Sequence, residues 1–106
     1  KRIKTAQVTF AVRDTTADGK EIHEGDIIGV CGSHINVVGK DRDSVLLELC
    51  NSIYDDDEFV TVYYGEDTPA EDAQKLAAVL EEKYPDAEVS VRYGGQPLYY
   101  YIISAE

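Results

Sequence analysis

Two histidines, two cysteines and one acidic run are the side chains in this sequence whose types and spacing could do chemistry. His34 follows Cys31 and Ser33 closely, and hairpin neighbours of that kind can pair an imidazole base with a thiol or hydroxyl nucleophile, the arrangement of a small hydrolase. Nothing in the spacing requires such a dyad. His23 belongs to no H-x-H or E-x-x-H pattern, so surface or edge histidines are the plainer reading. Cys31 and Cys50 lie far apart, form no C-x-x-C pair and each sit in an apolar run. They read as small buried hydrophobes, not as a disulfide or zinc ligands. Asp55-Asp56-Asp57-Glu58 gathers four carboxylates, but a calcium loop spaces its ligands around a mid-loop glycine, and this run reads as a solvated loop. With 21 acidic residues in the chain, pairing two on paper as acid and base carries no information.

Phosphate chemistry fares no better. Gly94-Gly95 follows a strand but leads into another strand, not into the helix that a dinucleotide fingerprint requires. The one strand-to-helix turn, Gly65-Glu66-Asp67-Thr68-Pro69, puts carboxylates where a phosphate would sit. A formal charge of −11 disfavours nucleic acid and anionic membranes, and suits solubility and a basic protein partner. No stretch reaches the roughly 20 consecutive apolar residues of a membrane span. A soluble, cytoplasmic parent is therefore expected.

The elements that position these residues follow from periodicity. Gln7 to Thr15 alternates, with Val8, Phe10 and Val12 on one face, as a half-buried strand does. Asp18-Gly19 signals a turn, and Lys20 to His23 is a short extended piece. Ile27 to Cys31 and His34 to Val38 read as a hairpin closed at Gly32-Ser33. Asp41 can cap a helix with Leu46, Leu49, Cys50 and Ile53 on its buried face. Phe59 to Tyr64 is nearly continuous in apolar and β-branched residues, like a central parallel strand. Thr68 reads as an N-cap, with Pro69 at the first helical position and Glu71 closing a capping box. Ala73, Leu76, Ala77, Leu80 and Tyr84 make that helix's inner face, and Pro85 stops it. Ala87 to Tyr93 is a strand, Gly94 to Pro97 a turn, and Leu98 to Ser104 a final strand.

The expected fold is α+β: a two-layer α/β sandwich with a mixed sheet, two helices on one face and the order βββαβαββ. Residues 59–93 form a βαβ unit with a right-handed crossover. The 106 residues suit one domain, 43% of them hydrophobic. With Lys1 in first place and no methionine, a fragment of a larger protein is expected, residues 1–5 being a linker remnant. In the final strand Tyr100 should face opposite to Tyr99 and Tyr101. A pair of tyrosines would then stand on the outer sheet face, where tyrosine suits an interface.

Four segments carry a resemblance: Thr9 to Thr15, Gly25 to Gly29, Tyr64 to Asp67 and, most specific, Tyr93-Gly94-Gly95-Gln96-Pro97-Leu98-Tyr99-Tyr100-Tyr101-Ile102-Ile103-Ser104. Together they resemble the C-terminal region of the catalytic subunits of bacterial fatty acid kinases, which are related to dihydroxyacetone kinases, over essentially the whole chain from Thr5. The resemblance implies a parent that phosphorylates the carboxylate of a fatty acid held by a separate DegV-type binding protein, feeding phospholipid synthesis. It implies that ATP and magnesium bind an N-terminal domain absent here, so no catalytic, cofactor or metal residue is assigned to this chain. It also implies the fold of the second lobe of DegV-type proteins. Where lipid-binding relatives carry a histidine and a Gly-Pro-Gly segment, this chain has Tyr101-Ile102-Ile103-Ser104. Arg42 falls near their lipid-contacting arginine, one weak match.

The leading expectation is a non-catalytic domain that docks the acyl-carrying DegV-type protein or organises the kinase dimer, with Arg13, Asp14, Tyr93, Gly94, Gly95, Gln96, Tyr99 and Tyr101 as candidate partner-binding residues. Other domains of the parent are expected neighbours, and nucleic acid and membrane insertion are not. The alternatives are a degenerate lipid or small-molecule lobe and, more remotely, the hydrolase built on His34.

Overall fold

The computed structural model describes residues 3–106. In chain order its elements are β1 (Lys4–Phe10), β2 (Thr15–Ala17), β3 (Lys20–Ile22), β4 (Ile27–Cys31), β5 (His34–Gly39), α1 (Arg42–Ile53), β6 (Phe59–Tyr64), α2 (Ala70–Lys83), β7 (Glu88–Tyr93) and β8 (Tyr101–Ala105). Six strands share one sheet in the order β5-β4-β1-β8-β6-β7, and β2 pairs with β3 in a separate hairpin. Within the large sheet β6 and β7 run parallel, and the other neighbours are antiparallel.

Alternation explains which face is buried. Ala6 and Val8 of β1, Val60 and Val62 of β6, and Tyr101, Ile103 and Ala105 of β8 point inward, while Thr5, Gln7, Thr61 and Ser104 point out. Val45, Leu46, Leu49 and Cys50 of α1 and Leu76 and Leu80 of α2 cover the inward residues in a single core. Both helices therefore lie on one face of a mixed sheet, as a two-layer sandwich requires. Helix α1 seats closely because β4 has glycine beneath it. A Cβ on Gly29 would come within 3.2 Å of Leu49 Cδ2 and of Val45 Cγ1.

Several boundaries differ from the sequence expectation. The order carries five strands before α1 instead of three. The first strand ends at Phe10, and Thr15 to Ala17 instead folds back on Lys20 to Ile22 through Asp18 and Gly19, both at positive φ. Val12, expected inside, is consequently 72% exposed. Lys4 and Thr5 belong to β1 and not to a linker, while residues 1 and 2 lie outside the described residues. The final strand starts at Tyr101, three residues later than its alternation suggested.

Caps and ion pairs fix the ends of the helices. Asp41 caps α1 as expected, accepting from the Ser44 amide at 3.0 Å. Thr68 does not cap α2. Pro69 holds that position with no side-chain bond, because the buried Thr68 hydroxyl donates instead to the Tyr100 carbonyl at 3.2 Å. The acidic run is not wholly solvated either. Asp57 is buried against Lys4, whose Nζ lies 2.7 Å from its Oδ2 and 2.6 Å from the Ile53 carbonyl. That pair ties the start of β1 to the end of α1.

Asp26 does similar work at the opposite end of the sheet. One carboxylate oxygen meets Lys40 Nζ and the other accepts from the His23 amide at 2.9 Å. The Lys40 bond, then the His23 amide, hold its carboxyl below the ordinary value of 3.8. A depressed folded pKa stabilises the fold above the unfolded value, and that contribution fades as pH falls through the folded one. Asp26→Asn should therefore be less stable than the parent chain at pH 7. The gap should close below pH 3.8, as urea midpoints measured across pH will check.

Candidate functional site

At the C-terminal ends of β6 and β7 the chain performs its most constrained manoeuvre. It must leave β7 at the sheet edge, cross the end of β6 and enter β8 on the far side. Residues 94–100 make that crossing. Gly94 and Gly95 donate to the Tyr64 carbonyl at 2.9 and 3.3 Å, and Glu66 donates to the Gln96 carbonyl at 3.1 Å. Gln96 Nε2 donates to the Tyr63 carbonyl at 3.0 Å and the Tyr99 carbonyl at 3.3 Å. The loop lies directly over Gly65, where a Cβ would collide with the Tyr99 carbonyl and come within 2.8 Å of the Gln96 carbonyl.

The crossing ends in a three-residue turn. The Tyr99 amide donates to the Pro97 carbonyl at 2.9 Å across Leu98, whose φ is 72°. A leucine in that conformation is strained, and such turns concentrate where structure over-determines them for a purpose. The Leu98 carbonyl is held by Thr9 Oγ1 at 2.6 Å, and the Tyr100 amide by the Val8 carbonyl at 2.8 Å. Leu98 is nevertheless 63% exposed. Exposed Tyr93, Tyr99 and Tyr63 accompany it at this end, with the Tyr93 ring 5.4 Å from that of Tyr64.

Beneath the rim a polar network joins the first turns of both helices to this loop. Arg42 Nη2 lies 2.7 Å from Asp72 Oδ2, and the guanidinium stacks 5.5 Å over the Tyr100 ring. Tyr101 Oη donates to Asp43 Oδ1 at 2.8 Å. Burial, reinforced by that bond, pushes the Tyr101 hydroxyl far above the usual tyrosine range. Arg42 is thereby committed to protein contacts.

The structure brings Tyr93, Gly94, Gly95, Gln96 and Tyr99 together in this loop. Arg13 and Asp14 leave the same end of the sheet from β1 but run on toward the β2–β3 hairpin, where Asp14 accepts from the Glu24 amide at 2.8 Å. No hydrogen bond among the described residues joins them to the loop. Tyr101 is fully buried, so it faces the core and presents nothing to a partner. Its alternation partners Ile103 and Ala105 are buried with it, so the inward face of β8 is the odd-numbered one, opposite to the sequence expectation. Sequence pattern does not single out Leu98, although its position between Pro97 and three tyrosines marks an apolar residue next to a turn. Cys31 and His34 stand opposite each other in the β4–β5 hairpin, but their side chains engage other groups. His34 Nδ1 meets Asp18 Oδ1 at 3.1 Å, while Cys31 Sγ lies 3.8 Å from the Thr5 carbonyl. Burial pushes the Cys50 thiol up to about 12.

The whole is a two-layer α+β domain with a hydrogen-bonded, apolar-tipped loop at one sheet end. The chain belongs to the FakA-like C-terminal family of fatty acid kinase subunits, which matches residues 1–106. It is 46% identical over 106 residues to protein YloV of Bacillus subtilis (strain 168), covering 99% of this chain and 19% of that protein. It is 40% identical over 105 residues to protein SH1689 of Staphylococcus haemolyticus (strain JCSC1435), and 38% identical over 105 residues to protein SAR1202 of Staphylococcus aureus (strain MRSA252). In both comparisons 98% of this chain is covered; it spans 19% of the length of each of these relatives.

Gly65→Ala should show how far the loop depends on this crossing. The new methyl meets backbone carbonyls that cannot swing aside, so unfolding should become easier by about 1–3 kcal/mol. Urea titration of the variant against the parent chain measures it.

Proposed function

We propose that this chain is a non-catalytic interaction domain of a fatty acid kinase, and that its loop 94–99 docks an acyl-carrying DegV-type fatty-acid-binding protein. The observation that carries the reading is Leu98, a large apolar side chain held out to solvent at a φ of 72°. Four hydrogen-bonded anchor points around the loop leave it little freedom to lose on binding: Tyr63, Tyr64, Glu66 and Thr9. Exposed tyrosines beside it suit an interface, where an aromatic body is covered and a hydroxyl stays wet. The charge of −11 favours encounter with a partner that is basic around its apolar contact.

On this reading the phosphoryl transfer, with its ATP and magnesium, belongs to the rest of the longer polypeptide. That polypeptide would act in the bacterial cytoplasm to supply acyl phosphate for phospholipid synthesis. Arg42, already paired with Asp72 and stacked on Tyr100, supports a lobe organised for protein contact over one that holds a lipid carboxylate.

Calorimetric titration of the chain with an acyl-loaded DegV-type protein tests the proposal. A saturable signal is expected, with Leu98→Gly and Tyr93→Ala each raising Kd roughly tenfold. Leu98→Gly should melt no earlier than the parent chain, since glycine relieves about 1–2 kcal/mol of left-handed strain. Absence of binding, or affinities untouched by both substitutions, would remove this loop as the docking site.

A further inference from the structure

Apolar side chains left in water are ordinary when scattered and informative when gathered. Among the described residues eight large hydrophobic side chains are exposed. Five of them, Val12, Tyr63, Tyr93, Leu98 and Tyr99, stand at the end of the sheet that the 94–100 segment crosses. Strand register places them there. Val8, Tyr101, Tyr64 and Tyr93 form one row across β1, β8, β6 and β7. Beyond that row the chain leaves β7 toward Leu98, and β1 runs on through Phe10 to Val12.

Val12 is the most exposed of the eight, yet its backbone is fixed on both sides. The Ala11 amide donates to the Asp26 carbonyl at 2.8 Å, and the Ala11 carbonyl accepts from the Gly25 amide at 2.9 Å. Ala11 itself is buried. Two residues beyond Val12, Asp14 Oδ1 accepts from the Glu24 amide at 2.8 Å. A bare valine bracketed in this way has little freedom to lose when it is covered, as is true of Leu98 in the neighbouring loop.

Both side chains hang on one strand. The Leu98 carbonyl accepts from Thr9 Oγ1 at 2.6 Å, and Val12 follows Thr9 by three residues. Three residues of extended chain span about 10–11 Å, so the Leu98 and Val12 backbones lie less than roughly 20 Å apart. An interface of standard size, about 800 Å² on each partner, is a disc roughly 30 Å across and covers both at once. Because β1 sets both positions, their spacing is rigid and suits one folded partner that meets them together.

The geometry points to Val12 as a second apolar anchor of the docking surface, engaged by the same acyl-carrying DegV-type protein that covers Leu98. This rests on the reading of loop 94–99 as the docking site. Calorimetric titration with that acyl-loaded protein compares the parent chain with Val12→Ser, Val12→Ile, Leu98→Gly and Ile3→Ser. Val12→Ser is expected to raise Kd at least roughly fivefold, and Val12→Ile to leave it unchanged. Ile3→Ser should also leave it unchanged, because it removes a comparably bare side chain from the opposite end of β1. Val12→Ser should melt no earlier than the parent chain. In a Cys31→Ser background, with Cys50 buried, a benzophenone attached to Val12→Cys should crosslink to the partner on irradiation. If the parent chain binds and Leu98→Gly weakens binding while Val12→Ser does not, the second anchor is overturned and the loop stands. If the parent chain does not bind, both fall. Equal losses from Val12→Ser and Ile3→Ser, or a folded, labelled chain that does not crosslink, also overturn the second anchor.

Discussion

The insertion of β8 between β1 and β6 is the constraint on which the rest of this structure depends. The strand arrives last yet sits in the middle of the sheet, antiparallel to both neighbours, with Tyr101, Ile103 and Ala105 in the core. Its predecessor β7 lies on the other side of β6, so the connecting segment has to pass over the end of β6. The residue waiting there must be glycine, because two backbone carbonyls occupy the space of its side chain. The segment must then reverse sharply to enter the slot, and the turn at Leu98 does so. An exposed leucine in an unfavourable conformation is thus a topological consequence, not an isolated oddity.

The same crossing organises the electrostatics. Both helices begin at this end, and their first turns carry Asp43, Glu71 and Asp72 where backbone amides favour negative charge. Those carboxylates are then used a second time: Asp43 receives the Tyr101 hydroxyl and Asp72 receives Arg42. Arg42 in turn covers Tyr100, whose carbonyl accepts from the Gly65 amide at 2.9 Å and from the Thr68 hydroxyl. Losing the side-chain cap on α2 is therefore compensated by fastening the helix entrance to the start of β8. Local propensity gave way to a tertiary bond that the fold needs more.

Much of this is legible from residue pattern. The Asp41 cap, the hairpin at Gly32-Ser33, the strand at Phe59 to Tyr64 and both helices on one face follow from periodicity and turn chemistry. What cannot be read are features decided by distant partners. Thr68 has the right neighbours for a cap, and only the proximity of Tyr100, 32 residues away, redirects its hydroxyl. Asp57 looks like one of four solvated acids until Lys4 comes within reach. Val12 is exposed because β1 ends before it at Phe10, and Tyr101 is buried because β8 turns its odd-numbered residues, not its even-numbered ones, to the core. Tyr93, Gly94, Gly95, Gln96 and Tyr99 can be grouped from sequence because they are nearly contiguous. Arg13 and Asp14 join that group on resemblance alone, and no hydrogen bond among the described residues links them to it.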